Sequence, residues 1–272
     1  MTAQTDTRSS AAALARAGLP HIDRAEVVGM PLAVTDYEGA MDWMDEVVRR
    51  RQRACVTAAA VHLVMVARED PETARAVERA LAVPDGVPLV WALRALGHRN
   101  ATRVYGPDLM ASYCERSART GTRMFLYGGR SDEALEQLTS ALLERYPGLN
   151  IVGGWSPPFR PLTEPERDDV ARRIDESGAD VVWVGTGQPK QEKWMAEMRD
   201  RLQAPILAGV GAAFDFHAGI VSQAPPWMQR NGLEWAYRLS REPRRLFYRY
   251  AKYNPLFVAA FARQYLAARA GR

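Results

Sequence analysis

The sequence predicts an α/β fold, with a parallel sheet sandwiched by helices and a basic, helical C-terminal appendage. Three observations predict it. Short apolar runs alternate with amphipathic stretches of helical length through most of the 272 residues, the pattern of strands joined by crossover helices and buried on both faces. Glycine-rich turns close several of those runs, at Gly128-Gly129, Gly185-Thr186-Gly187 and Gly209-Val210-Gly211. From Pro225 onward the alternation gives way to arginine and aromatic residues.

Taken in order, residues 1–25 carry Ala-rich stretches broken by Asp6, Arg8 and Arg16. No continuous apolar region resembles a signal peptide, so a disordered leader is expected. Tyr37 to Arg51 reads as an amphipathic helix and Ala54 to Ala58 as a short strand. His62 to Arg68 and Pro71 to Leu81 read as helices, the second after an Asp-Pro start signal. Leu89 to Leu96 follows the turn-like Pro84-Asp85-Gly86 and reads as helix, as does Pro107 to Arg119. Arg123 to Tyr127 is a buried strand stopped by Gly128-Gly129, and Ser131 caps a helix that runs to Tyr146. Asn150 to Gly153, Asp180 to Gly185 and Pro205 to Val210 are strands; Thr163 to Ser177 and Lys190 to Leu202 are the helices between them. The catalytic core is thus expected over 26–224. The appendage, 225–272, reads as Arg-rich helix interrupted at Pro243 and Pro255.

Composition narrows the function. With 47% hydrophobic and 25% charged residues the chain suits one compact domain with a small appendage. No apolar run approaches the roughly 20 residues that span a bilayer, and a cytoplasmic location is expected. Cys55 and Cys114 suggest neither a disulfide scaffold nor a zinc site, and four scattered histidines argue against a multi-histidine metal centre. Charge is uneven. Pro225 to Arg272 holds ten Lys/Arg against two Asp/Glu, within a total of +4, and ten of the aromatic residues. An acidic body with a basic, aromatic tail needs an anionic partner: a phosphorylated ligand, a membrane surface or a nucleic acid.

Ligands of open α/β sheets sit beyond the carboxyl ends of the strands. The three glycine turns lie there, where backbone can approach phosphate and helix N-termini present free N–H groups. Gly128, Gly129, Gly185, Gly187, Gln188 and Gly211 are therefore candidate nucleotide-binding positions, although none forms a Walker or GxGxxG motif and each alone is an ordinary tight turn. Asp85, in a turn flanked by apolar residues, is the candidate general base; the alternative is a turn aspartate bonding its own backbone. Asp215 and His217 sit in Phe214-Asp215-Phe216-His217, where alternation would bury the two phenylalanines and turn Asp215 and His217 the other way. Asp215 either contacts ligand or holds a loop. Asp168-Asp169 reads as a solvated helix face, and no Asp-x-Asp stands at a strand end to hold a divalent ion.

Several short motifs share one order and spacing: Thr57 leading into Val61-His62, Pro84-Asp85-Gly86 with Val90-Trp91, and Arg103-Val104-Tyr105-Gly106-Pro107-Asp108. Further on come Tyr127-Gly128-Gly129, Gly187-Gln188-Pro189-Lys190-Gln191-Glu192, Gly209 to Phe216, Ala224-Pro225-Pro226-Trp227-Met228 and Gly232-Leu233-Glu234-Trp235. From about Val28 to Tyr250 the chain thereby resembles the WecG/TagA/CpsF family of glycosyltransferases. The resemblance implies a Rossmann-like core and an inverting, metal-independent enzyme without cofactor. Such an enzyme moves N-acetylmannosamine, its uronic acid or glucose from a UDP-sugar to a polyprenyl-diphosphate-linked sugar. It implies Asp85 as base, Thr57 as a positioning group for donor or acceptor, Arg103 as stabiliser of the diphosphate leaving group and Gln191 as a lining residue. Arginine suits that role because its fork of donors matches phosphate oxygens.

One departure stands out: the family commonly has Asn where this chain has Ala59, which leaves the donor sugar open. The resemblance also implies that the appendage meets the inner face of the plasma membrane and closes over the site. Arg238, Arg241, Arg244, Arg245 and Arg249 would then pair with anionic head groups or the acceptor's diphosphate. Self-association is a further implication, without a stated stoichiometry. Two other classes stay open, a catalytically silent nucleotide- or membrane-binding scaffold and a nucleic-acid-binding protein. The second lacks any recognised module and has an acidic core, so no nucleic-acid partner is expected.

Overall fold

The computed structural model describes residues 18–270. Its strands are β1 (Arg24–Val27), β2 (Met30–Ala33), β3 (Ala54–Ala59), β4 (Ala80–Pro84), β5 (Arg123–Gly128), β6 (Asn150–Trp155), β7 (Val181–Gly185) and β8 (Ile206–Gly209). They form one sheet in the order β1-β2-β4-β3-β8-β7-β5-β6. The β1–β2 hairpin is antiparallel, and every other pairing is parallel. The described helices are α1 (Tyr37–Arg49), α2 (Val61–Glu69), α3 (Pro71–Glu78), α4 (Val87–Ala95), α5 (Gly106–Thr120) and α6 (Asp132–Arg145). They continue with α7 (Glu164–Ser177), α8 (Lys190–Met198), α9 (Ala213–His217), α10 (Pro226–Arg230), α11 (Glu234–Arg241) and α12 (Pro243–Ala270).

Strand periodicity divides the core into layers. In β7, Val181 and Trp183 join α1, α5 and α6 on one face. Val182 and Val184 join α7 and α8 on the other. A third cluster fills the space between β1, β2 and β4 and the helices α2, α4 and α12. Because both faces are covered, the central strands read as unbroken apolar runs rather than alternating ones. The expected cap is present, with Ser131 Oγ accepting from Ala134 N at 3.3 Å. Thr163 and Glu166 form a capping box at α7.

Three expectations change. Pro71 to Leu81 is not one helix: α3 stops at Glu78, and Ala80–Pro84 is a strand buried at all five positions between β2 and β3. Alanine favours helix locally, but the slot in the sheet overrides that preference. The β1–β2 hairpin, four residues per strand, was too short to leave a period. Residues 1–17 of the expected leader lie outside the described residues. Its remainder is docked, since Leu19 and Ile22 pack against the core and Pro20 O accepts from Trp43 Nε1 at 2.8 Å. Finally, Pro243 opens α12 as expected, but Pro255 lies inside that helix without ending it. Packing on both sides of Pro255 holds the helix. Tyr253 meets His62 edge-on at 5.1 Å, and Phe257 is buried. Gln264 exchanges 2.8 Å hydrogen bonds with Val28 N and Glu26 O of the hairpin.

Candidate active site

The parallel strands all end on the same side, and the turns beyond them enclose a cavity of about 1320 Å³. Ala58 comes from β3 and Ala60 follows it, Asp85 and Gly86 follow β4, Gly129 and Arg130 follow β5, and Pro157 to Leu162 follow β6. Gly185 to Gln188 follow β7, and Val210 to Ala212 follow β8. Glu234, Trp235, Arg238, Arg249, Tyr250 and Phe257 of the C-terminal helices form the opposite wall. A volume above the usual few hundred to roughly 1,000 Å³ of a single small-ligand pocket leaves room for two substrates.

Asp85 is positioned by its own backbone. Its N–H donates to Ala59 O at 3.0 Å, which ties the end of β4 to β3, and its carbonyl accepts from Arg103 Nε at 2.6 Å. Its carboxylate turns to Arg103 Nη2, at 3.5 Å, and not to its own turn. Arg103 Nη2 also donates to Glu234 Oε2 at 2.6 Å, and the guanidinium lies 4.1 Å from the centre of the Tyr105 ring. Asp85 and Arg103 side chains are each 20% exposed and Glu234 12%. Burial pushes the Asp85 carboxyl up to about 7; Arg103 opposes that rise, and Glu234 reinforces it. Burial works against the Arg103 charge, yet Asp85 and Glu234 outweigh it and hold its pKa above the ordinary value. Burial, followed by Glu234 and Asp85, raises the Tyr105 hydroxyl, so that it stays protonated.

The other expected residues divide. Gly129, Gly185, Gly187, Gln188, Gly211 and Asp215 line the cavity. Gly128 does not; its φ of 142° and a Cβ position only 2.9 Å from Gly185 backbone show that it lets the ends of β5 and β7 meet. Thr57 and Gln191 are fully buried and lie outside the lining. Thr57 Oγ1 donates to Glu192 Oε1 at 2.6 Å and Gln191 Nε2 donates to the same oxygen at 2.8 Å. Gln191 Oε1 accepts from Gly211 N at 3.0 Å. The two therefore sit behind the cavity lining and fix the turn after β8; Gln191 does not line the cavity as expected, and Thr57 acts one layer behind it. Central-strand position decides this, because a residue in β3 that faces α8 cannot also face the cavity beyond the strand end.

Asp215 forms a two-point ion pair with Arg130, both contacts 2.9 Å, across the cavity rim. The expected strand-like alternation around it fails, since Ala213–His217 is the short helix α9. Phe214 is buried, Phe216 lines the cavity, and His217 bonds Pro107 O at 2.9 Å. Asp168 and Asp169 pair with Arg201 and with Arg172 and Arg173 on the surface. Of the appendage arginines, Arg238 and Arg249 line the cavity, whereas Arg241 and Arg244 are exposed outside it. The Arg245 side chain lies outside the described residues. Cys55 and Cys114 are free and buried. Ala59 is fully buried in the layer beneath α2 and α4 and offers the cavity no polar group.

Sequence reading missed several lining residues. Glu234 appeared only inside a motif, with nothing to show that it would meet Arg103 from 131 positions away. His62, whose pKa burial lowers to about 4, and Thr186 line the cavity. His62 Nδ1 and Thr186 Oγ1 are buried with no hydrogen-bond partner among the described residues. Trp194 stacks on Tyr127 at 3.7 Å, a pair that lines the wall near the β5 and β7 turns. No helix among the described residues is long and apolar enough to cross a membrane. The family model described as Glycosyl transferase WecG/TagA/CpsF matches residues 25–271. A sheet-end cavity with Asp85 and Arg103 side by side, and a match over nearly the whole chain, lead to one conclusion: the protein belongs to the WecG/TagA/CpsF family of glycosyltransferases, which act in cell-wall polysaccharide biosynthesis.

Proposed function

We propose that this enzyme is an inverting, metal-independent transferase. It moves a hexose or N-acetylhexosamine (N-acetylmannosamine, its uronic acid, or glucose) from a UDP-sugar to a sugar on a polyprenyl diphosphate. The observation that carries the proposal is the placement of Asp85 and Arg103, 3.5 Å apart in a cavity at the strand ends. The family implies a nucleotide-sugar donor and a lipid-linked acceptor in general.

In this reading the donor's diphosphate lies over the turns at Gly129, Gly187 and Gly211. The last two have open space where a side chain would begin, so backbone N–H groups can approach phosphate oxygens. The Thr186 hydroxyl and the Trp194–Tyr127 pair suit a nucleoside. The acceptor enters from the side of Asp85 and the C-terminal helices. Asp85 takes the proton of the acceptor hydroxyl as that oxygen bonds to the anomeric carbon. On the opposite face the bond from that carbon to the UDP oxygen breaks, and UDP leaves. Cationic side chains on the cavity wall, Arg103 and Arg238 among them, stabilise the charge that develops on it. A carboxyl held near 7 fits a base that must accept a proton at neutral pH.

The exposed face of the appendage supports peripheral attachment to an anionic membrane at its cytoplasmic side. Trp227, Phe247 and Tyr248 are 54–73% exposed and stand among Arg241 and Arg244. The deciding experiment is a panel of UDP-sugars offered with a short-chain lipid-diphosphate sugar, using the native chain and Asp85→Asn. Transfer of one sugar by the native chain and its loss in the variant are expected. Undiminished transfer by Asp85→Asn would remove Asp85 as the base.

A further inference from the structure

The contact between Glu234 and Arg103 has no place in proton transfer or in leaving-group departure as described. It joins the first turn of α11 to the segment before α5. Arg103 Nη2 lies 2.6 Å from Glu234 Oε2 and 3.5 Å from Asp85 Oδ1, so the guanidinium leans to the glutamate by 0.9 Å, the difference between those two distances. The rest of Arg103 is fixed by the Asp85 carbonyl and the Tyr105 ring. Among the described residues, Glu234 is the one carboxylate besides Asp85 at hydrogen-bond distance from that guanidinium, and it comes from the C-terminal helices.

We propose that Glu234 is a positioning residue for the transfer reaction: by holding the Arg103 guanidinium on its own carboxylate, it keeps Asp85 out of a close ion pair and able to accept the acceptor's proton. The proposal rests on the reading of Asp85 as base. A carboxylate locked to an arginine gives up its affinity for protons, whereas one that shares its arginine with a second carboxylate retains more of it. The groups that face Asp85 are Arg103 and Tyr105 before α5, Glu234 and Arg238 on α11, and Tyr37 on α1. Asp108 acts on Arg103's surroundings and Tyr250 on Arg238. Among these, Glu234 is the acidic neighbour that raises the Asp85 carboxyl, with burial the larger cause. One consequence is structural logic: a working base requires the C-terminal helices to be in place.

The primary readout needs no substrate. The full chain, labelled with [13C]aspartate, is titrated by carboxyl NMR, and the Asp85 resonance is assigned by its loss in Asp85→Asn. In Glu234→Gln the Asp85 midpoint is expected to fall by about one pH unit or more. In Glu234→Asp, which keeps the charge, it is expected to stay close to the native value. The low-pH limb of the transfer rate should move with the midpoint in each variant. An unchanged midpoint in Glu234→Gln overturns the proposal. So does an equal fall in both variants, which would mark a packing effect. Transfer by Asp85→Asn, by contrast, would remove the base while the titration still reads the Glu234–Asp85 coupling, so the two failures are separable.

Discussion

Asp85 is a carboxyl whose ionisation the fold opposes. Its folded-state pKa of about 7 lies above the ordinary 3.8. Between those values the folded chain binds a proton that the unfolded chain has released, so stability falls as pH rises from about 4 to about 7 and levels off above. The effect is up to roughly 4 kcal/mol, because one unit is about 1.4 kcal/mol. Asp85→Asn is therefore expected to melt above the native protein at pH 8 and close to it at pH 4.5, while transfer drops at least about a hundredfold. Under the proposed role of Asp85 as base, the native transfer rate should climb with pH, with a midpoint near 7. Thr57 gives a contrasting case. Its hydroxyl serves the buried Glu192, so Thr57→Val should cost about 1–3 kcal/mol in urea denaturation. A rise in donor KM with stability intact would instead put Thr57 in direct contact with substrate. Both residues lie at or in strands the sequence marked as chemically interesting, yet only Asp85 faces the cavity. Residue type was legible there, but side-chain direction relative to the strand end was not.

At the scale of elements, α12 carries an internal proline and a division of faces. Leu246, Tyr253, Phe257 and Gln264 recur at helical spacing and meet the core, whereas Phe247, Tyr248, Pro255 and Val258 are exposed. Proline within a helix costs about 3 kcal/mol relative to alanine. Pro255→Ala is accordingly expected to raise the melting temperature and leave the helix in place, as circular dichroism would record. The β4 strand teaches a related lesson. Ala80-Leu81-Ala82-Val83-Pro84 has no alternation and an alanine-rich composition, and local preference carries the preceding helix into it as far as Leu81. Strand β4 exists because β2 and β3 flank an empty ladder position that buries all five residues. Strands β5, β7 and β8, with β-branched and aromatic runs ended by glycine, were legible for the opposite reason.

Across the whole molecule, an acidic body and a basic, aromatic end meet around one cavity. The helices after Pro225 are not a loose tail: Leu246 and Phe257 are buried, and Lys252 pairs with Glu69 of α2 at 2.8 Å. Removing the whole segment would uncover apolar core, so it tests folding as much as membrane attachment. Surface changes test attachment alone. Phe247→Ser with Tyr248→Ser, at side chains 65% and 73% exposed, and Arg241→Ser with Arg244→Ser should each weaken sedimentation with phosphatidylserine vesicles. The arginine pair should weaken it by roughly thirtyfold, at about 1 kcal/mol per basic residue. Both should leave the melting temperature unchanged. Undiminished sedimentation in all four positions together would refute the membrane role.

The sequence by itself determined the α/β class, most of the helices, the glycine turns at strand ends, the helix caps and the charged C-terminal end. These are written in spacing and composition along the chain, where a period of two or of 3.6 residues reports which side of an element is apolar. Tertiary structure decided the rest. It made a strand of Ala80–Pro84, turned Thr57 and Gln191 toward Glu192, and set Asp85, Arg103 and Glu234 together although 18 and 131 positions separate the arginine from its two partners. The physical reason is that strand pairing and the strength of a buried charge depend on distance and dielectric in space, and neither leaves a local period in the chain.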